Sequence, residues 1–274
     1  MLQSEGSSSN SEIEMLAVGV TDKSTDPRSL YLELMKRVLT DTVLSNEPSV
    51  EEGELEYLDG FIQHYIRGRA LTMVPTVRLD NVHHCAVDVI ERGVPGDFIE
   101  TGVWRGGTTL FMRAILNAYS QPLRRVWIAD SFEGLPKPDA EKYPIEASTH
   151  SGQVMTKVYN HFAVGLEEVR ENFARFGFLD DRSVFLKGWF KDTLPSAPIS
   201  QLALMRLDGD YYESTHDALT YLYPKLSPGG YVIIDDYGEE TWTYCRKAVE
   251  DYREREKISN PLVRVDSKCS YWQK

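Results

Sequence analysis

The 274-residue chain is short of positive charge, poor in cysteine and free of long apolar runs. Each shortage closes off a class of function. Thirty Lys and Arg face 42 Asp and Glu, a formal net charge of −12. A surface of that sign repels phosphate backbones, so no nucleic-acid partner is expected. No stretch approaches the ~20 apolar residues of a membrane span, so no membrane partner is expected either. The opening MLQSEGSSSNSEIEM is not a basic segment followed by an apolar one, which argues against a secretory leader. Cys85, Cys245 and Cys269 cannot all pair, and none has C-x-x-C spacing. A disulfide framework and a thiolate zinc site are therefore both disfavoured. The expectation is a soluble, reduced, cytoplasmic protein. Hydrophobic residues at 42% and aromatics at 11% supply a sizeable core. The length favours one large α/β domain.

Three regions follow from the patterning. Residues 1–26 are polar and Ser-rich and read as a flexible tail, although Met15-Leu16-Ala17-Val18 could dock on a neighbouring subunit. Residues 27–95 read as a helical extension. Asp26 before Pro27 is a helix start, followed by Leu30, Leu32, Leu34, Met35, Val38 and Leu39 at mostly helical spacing. A weakly patterned stretch, 46–70, separates it from a second helix carrying Leu79, Val82, Ala86, Val89 and Ile90 and ended by Gly93. His83-His84-Cys85 on that helix point in different directions and read as an ordinary helix face. From residue 96 to 274 short apolar runs alternate with amphipathic ones. Strands are predicted at Phe98–Glu100, Arg125–Ala129, Ser183–Leu186, Leu202–Leu207 and Tyr231–Ile234. Helices are predicted at Thr108–Ala118, Leu166–Phe176, Ser214–Leu222 and Glu240–Arg255, with a closing hairpin at Val263–Val265 and Ser270–Trp272. Strands apolar on both sides fit a doubly wound, mostly parallel sheet covered by helices. Residues 131–162, with three prolines and no periodicity, read as a lid.

The first strand runs through Glu100-Thr101 into Gly102-Val103-Trp104-Arg105-Gly106-Gly107-Thr108. This strand, glycine turn and helix could bring backbone close to a ligand, or simply connect two elements. Its spacing is neither G-x-G-x-x-G nor a Walker pattern. An acid at the strand end is wrong for a phosphate and right for a cation. S-adenosylmethionine carries an ammonium and a sulfonium and no phosphate. The next strand ends at Asp130, thirty positions on, where doubly wound sheets hold a ribose diol. Farther along, Leu207-Asp208-Gly209-Asp210 and Ile234-Asp235-Asp236 close two more strands. In a parallel sheet these tips share one edge, so Asp208, Asp235 and Asp236 could converge on a hard divalent ion, Mg²⁺ before Zn²⁺. Each acid taken singly could also cap a helix.

With these residues in place the chain resembles the macrocin O-methyltransferase (TylF) family of antibiotic-sugar O-methyltransferases. The matching strings are Thr72-Met73, Gly96 to Gly107, Trp127 to Pro136, Gly188 to Pro195, Leu207 to Asp210 and Ile234 to Tyr237. The resemblance implies a class I, Rossmann-like methyltransferase core. It implies that Thr72, Met73, Glu100, Thr101, Gly102, Val103 and Trp104 hold the methionine part of S-adenosylmethionine. Asp130 would hold the ribose; Ser131, Phe132, Glu133 and Gly134 would line the adenosine; Phe190 and Lys191 would sit near adenine. Asp208, Asp235 and Asp236 match the family's Mg²⁺ ligands, and Asp208 its general base. The family's His-x-Tyr-Asn lid motif reads Lys157-Val158-Tyr159-Asn160 here, with His150 and His161 as neighbouring histidines.

The expected reaction is methyl transfer from the sulfonium to a hydroxyl of a deoxysugar on a glycosylated small molecule, by a homo-oligomeric enzyme. Asp208, Asp210, Lys157 or a water could accept the proton. The alternatives are a catechol-type phenolic O-methyltransferase, a non-catalytic adenosyl-cofactor binder and, more remotely, a NAD dehydrogenase.

Overall fold

The computed structural model describes residues 26–45, 60, 62–151, 161–238 and 243–274. The tail before residue 26 and the Lys157–Asn160 register lie outside the described residues.

The first helix, α1 (Pro27–Leu39), starts as its sequence requires. Asp26 Oδ2 accepts the Ser29 N–H at 3.0 Å, and Pro27 occupies a position that needs no donor. Its buried Leu32, Met35 and Leu39 face the core, each contributing about 1.5–3 kcal/mol of burial. A π-helical turn (Ile62–Ile66) and an extended segment lead to α2 (Thr76–Glu91). The core then alternates: β1 (Asp97–Thr101), α3 (Gly107–Ala118), β2 (Val126–Asp130), α4 (Pro144–Ser151), α5 (Leu166–Arg175), β3 (Ser183–Lys187) and a single turn, α6 (Phe190–Thr193). It closes with β4 (Leu202–Leu207), α7 (Tyr212–Leu222), β5 (Leu226–Ile234), α8 (Thr243–Arg255), β6 (Val263–Arg264) and β7 (Ser270–Gln273).

The seven strands lie in the order β3-β2-β1-β4-β5-β7-β6, with β7 antiparallel to both of its neighbours and the other pairs parallel. Alternate residues of the central strands face opposite layers. Phe98, Val126, Ile128, Leu204 and Ile233 pack with helices α1, α2, α3 and α5. Ile99, Trp127, Met205, Val232 and Ile234 pack with α7 and α8. The chain is therefore apolar on both sides of its strands for the reason expected. Because Ser270 pairs with Ile234, the turn joining β6 to β7 falls at the carboxyl edge, beside the tip of β5.

Two expectations change. The aperiodic stretch after Asp130 contains a helix, α4, begun by Pro144; two turns are too short to show a period. Pro228-Gly229-Gly230, just ahead of the strand predicted at Tyr231–Ile234, belongs to β5, which shifts register against β4 there. A Cβ on Gly230 would stand 2.8 Å from the Ala203 carbonyl oxygen, so only glycine lets the two strands approach. Among the described residues, no helix is long and apolar enough to cross a membrane.

Candidate active site

The carboxyl edge of the sheet opens into two adjoining cavities of about 500 and 330 Å³. Gly102, Asp130, Gly134, Leu135 and Asp208 line both, so the two form one crevice. Its floor is the turn after β1. Gly102 has φ +82°, and a Cβ there would lie 1.7 Å from the Asp208 carbonyl oxygen. The Asp208 N–H donates to Thr101 O at 2.9 Å, so the glycine turn and the β4 tip are fastened together. Trp104, Phe132 and Asp210, after β1, β2 and β4, all have positive φ (48°, 56° and 59°). Each such residue costs on the order of 1–2 kcal/mol, which the surrounding hydrogen bonds offset.

Asp130 is fixed at the β2 tip. Its Oδ2 accepts the Val103 N–H and its Oδ1 the Phe132 N–H, both at 2.8 Å. A carboxylate offers about four lone-pair sites, so capacity remains for a diol. Ser131 closes the following turn by donating to Gly134 O at 2.7 Å. The smaller cavity carries Ser131, Trp189, Phe190 and Lys191, a group suited to a flat base. Thr101, Phe132 and Glu133 line neither cavity: Thr101 and Phe132 are buried and Glu133 is exposed. Val103 and Trp104 line the larger cavity, and the Trp104 indole also donates to His161 O at 3.0 Å.

Thr72 and Met73 reach the crevice because the extension is bound to the turn. The Gly107 N–H donates to Leu71 O at 2.9 Å, and the Thr72 and Thr108 hydroxyls bond at 3.1 Å. Arg105 donates to the carbonyls of Tyr65, Ile66 and Ala70 at 3.1, 3.1 and 2.9 Å. Sequence reading gave Arg105 no role; a guanidinium beside a glycine turn was the available signal.

The carboxylates split into two groups. Ligand atoms of Asp208, Asp210 and Asp236 lie within 4.8 Å of one another, the one such cluster among the described residues. Asp235, expected with them, is turned onto arginines instead. Arg206 Nη2 stands 2.5 Å from its Oδ1, an ion pair without hydrogen-bond alignment, and Arg78 Nη1 donates to its Oδ2 at 2.8 Å. Asp210 takes the place expected of Asp235, and the Asp210 N–H donates to Asp236 Oδ2 at 2.9 Å.

Arg206 was missed by sequence reading, although a lone arginine in Leu-Ala-Leu-Met-Arg-Leu was visible. It is 1% exposed and pairs with Glu100 as well as with Asp208, at 2.9 Å from Oδ2. Burial pushes Glu100 up to about 7 against the pull of Arg206, and its Oε2 has no hydrogen-bond partner. Asp208 is held well above the usual carboxylate range by burial and then by Asp235. Asp236 is raised by burial and then by Asp210 and Asp208. Burial opposes ionisation of Asp235 too, but Arg206 and Arg78 outweigh it and hold its pKa down.

Glu100, Asp208, Asp210, Asp235 and Asp236 thus gather beside Arg206 and Arg78, five carboxyl groups to two guanidiniums. An all-oxygen cluster beside an orphaned buried carboxylate oxygen suits a hard divalent cation and an ammonium-bearing cofactor. Of the histidines near the lid register, His150 has its Nδ1 2.7 Å from the hydroxyl of Tyr211, and the His161 carbonyl accepts the Trp104 indole N–H at 3.0 Å.

The sequence pattern of the macrocin-O-methyltransferase (TylF) family matches residues 65–274. The chain belongs to this family. A relative from Streptomyces olivaceus, 8-demethyl-8-(2,3-dimethoxy-α-L-rhamnosyl)-tetracenomycin-C 4'-O-methyltransferase, is 48% identical over 254 residues, covering 90% of this chain and 94% of the relative. Mycinamicin III 3''-O-methyltransferase of Micromonospora griseorubida is 43% identical over 250 residues, covering 89% and 96%. The solved structure of the O-methyltransferase NovP superposes with a TM-score of 0.77 at 44% identity, covering 90% of this chain and 99% of that one. As a macrocin-O-methyltransferase family member the chain is an S-adenosylmethionine-dependent O-methyltransferase, and its sheet is that of the class I enzymes.

Proposed function

We propose that this enzyme methylates a hydroxyl of a sugar, a deoxysugar in particular, on a glycosylated antibiotic intermediate, with Mg²⁺ held by Asp208, Asp210 and Asp236. The observation that carries the reading is the convergence of these three carboxylates in the crevice that also holds Glu100 and Asp130. The relatives' names supply the sugar: one acts on a rhamnosyl tetracenomycin, another on a mycinamicin.

The geometry supports a role for each residue. The orphaned Oε2 of Glu100 meets the cofactor's ammonium, Asp130 takes the ribose hydroxyls, and Trp189 and Phe190 cover the adenine. Together they fix the donor so that its methyl group faces the carboxylates, which removes much of the entropic barrier. The sulfonium supplies a methyl already bonded to a good leaving group, and a divalent cation lowers the pKa of a bound alcohol. Asp208 takes up the hydroxyl proton. Arg206 holds one of its oxygens, which fixes the carboxylate's direction. Asp235 stays ionised between its two arginines and serves as their counter-ion.

The test is methyl transfer from labelled S-adenosylmethionine to 8-demethyl-8-(2,3-dimethoxy-α-L-rhamnosyl)-tetracenomycin C, read by mass spectrometry with Mg²⁺ or with EDTA. One added methyl on the sugar, lost in EDTA and restored by Mg²⁺, is the expected result. Full turnover in EDTA removes the metal from the account. Transfer to a catechol probe and to no glycoside removes the sugar.

A further inference from the structure

Beyond the carboxylates, the larger cavity has a wall built by elements that face away from the cofactor turn. It consists of Pro75 and Val77 at the start of α2, Arg78, and the β6–β7 turn residues Asp266, Ser267 and Lys268. We propose that this turn receives the acceptor sugar and that Arg78 is the positioning residue that holds it there, an assignment that rests on the sugar methyltransferase reading above.

Topology gives the first argument. In the order β3-β2-β1-β4-β5-β7-β6, Asp130 stands on one flank of Glu100 and the β5–β7 edge on the other. A cofactor stretched from Glu100 to Asp130 fills the β1–β2 side. The acceptor must meet the methyl over β4 and β5, and the β6–β7 turn is the next wall in that direction.

Chemistry gives the second. Val77 is 48% exposed, an apolar surface beside the exposed Ser267 and the half-buried Lys268. A deoxysugar ring presents the same mixture, C–H and methyl surface on one side and hydroxyls at the edge.

Rigidity gives the third. Asp266 Oδ1 accepts the N–H groups of Lys268 and Cys269, both at 2.8 Å, which sets the turn's shape. Arg78 donates to Asp266 through Nε at 2.6 Å and Nη2 at 3.2 Å, and to Asp235 through Nη1 at 2.8 Å. One planar guanidinium therefore ties the turn to the β5 tip beside the carboxylate cluster. Lysine, a point charge with no fork, cannot hold both carboxylates in this geometry.

The experiment compares wild type, Lys268→Ala, Ser267→Ala and Arg78→Lys, using S-adenosylmethionine and the rhamnosyl tetracenomycin probe. Calorimetric titration with S-adenosylhomocysteine runs beside the kinetics. The acceptor KM is expected to rise about tenfold in Lys268→Ala and Arg78→Lys, and less in Ser267→Ala, the loss of one polar contact. In Lys268→Ala and Ser267→Ala the kcat should stay within about twofold, and S-adenosylhomocysteine affinity should not change in any of the three. Wild-type turnover with an unmoved acceptor KM in all three variants overturns this assignment alone. A fall in kcat without a KM change, or weakened S-adenosylhomocysteine binding, also overturns it, since the turn would then serve catalysis, cofactor or fold. No methylation of the probe by wild type overturns the sugar reading and this assignment with it.

Discussion

Removing the guanidinium beneath the site is the perturbation whose size the structure best defines. Arg206→Met keeps the length and apolar stem of the side chain but leaves Glu100, itself 1% exposed, without the one counter-ion described for it. Asp235 keeps Arg78 and loses Arg206; Asp208 loses a 2.9 Å hydrogen bond. Breaking a buried ion pair from one side costs about 3–5 kcal/mol, because the remaining charge is uncompensated. That is a large share of the 5–15 kcal/mol by which a typical domain is stable, and corresponds to a fall in Tm on the order of 10 °C. The pH dependence has a definite sign. Glu100 sits at about 7 in the fold against an ordinary 4.5, so folding favours its protonated form, and stability falls as pH rises through that window. Without Arg206 the folded value climbs further, and the penalty keeps growing above pH 7 where the wild type levels off. Urea unfolding at pH 8 and pH 5 reads both effects: the deficit should be full at pH 8 and smaller at pH 5. Glu100→Gln added to Arg206→Met should recover part of it. A single variant within about 1 kcal/mol of wild type at pH 8 refutes the picture of Arg206 as the shared counter-ion.

Two further substitutions probe separate parts of the crevice. Gly102→Ala puts a Cβ against the Asp208 carbonyl at positive φ, and should cost at least about 2 kcal/mol and abolish S-adenosylhomocysteine binding in calorimetry; retained affinity would show that the turn can open. Glu146 of α4, raised to about 7 by burial, accepts the Tyr212 N–H at the start of α7 at 2.8 Å. Its folded pKa lies above the ordinary 4.5, so its contribution worsens as pH rises between those values. Glu146→Gln should therefore raise stability at pH 8 by on the order of 1–2 kcal/mol, discounted for solvent screening, and change little at pH 4. Scanning calorimetry showing equal shifts at both pH values would contradict this.

The sheet was readable because its strands are apolar on both faces, and Leu202–Leu207 and Ser183 onward coincide with observed strands. Asp130 and Glu100 were readable because a parallel sheet delivers strand ends to one edge. The composition of the carboxylate cluster was not. Whether Asp235 or Asp210 faces its neighbours depends on two arginines, one of them on α2, far off in sequence from both. Adjacent acids in Asp235-Asp236 point to opposite sides of an extended backbone, and periodicity cannot say which side holds the arginines. Arg105 and Arg78 act through partners tens to nearly two hundred residues distant, beyond any local pattern. Helix α4 escaped because eight residues display too few turns, and Pro144 marks a start only once the helix is known.

The union of Gly102 with Asp208 has a consequence for how molecules enter and leave. The glycine turn and the β4 carboxylates share one stiff base, so movement between them falls to the rim rather than to any scissoring of the strands. That rim is tied at one end by Leu71, Thr72 and Arg105 and at the other by Arg78 under the C-terminal turn. Loosening either tie would move one wall of the crevice and leave the other in place, without a hinge between domains.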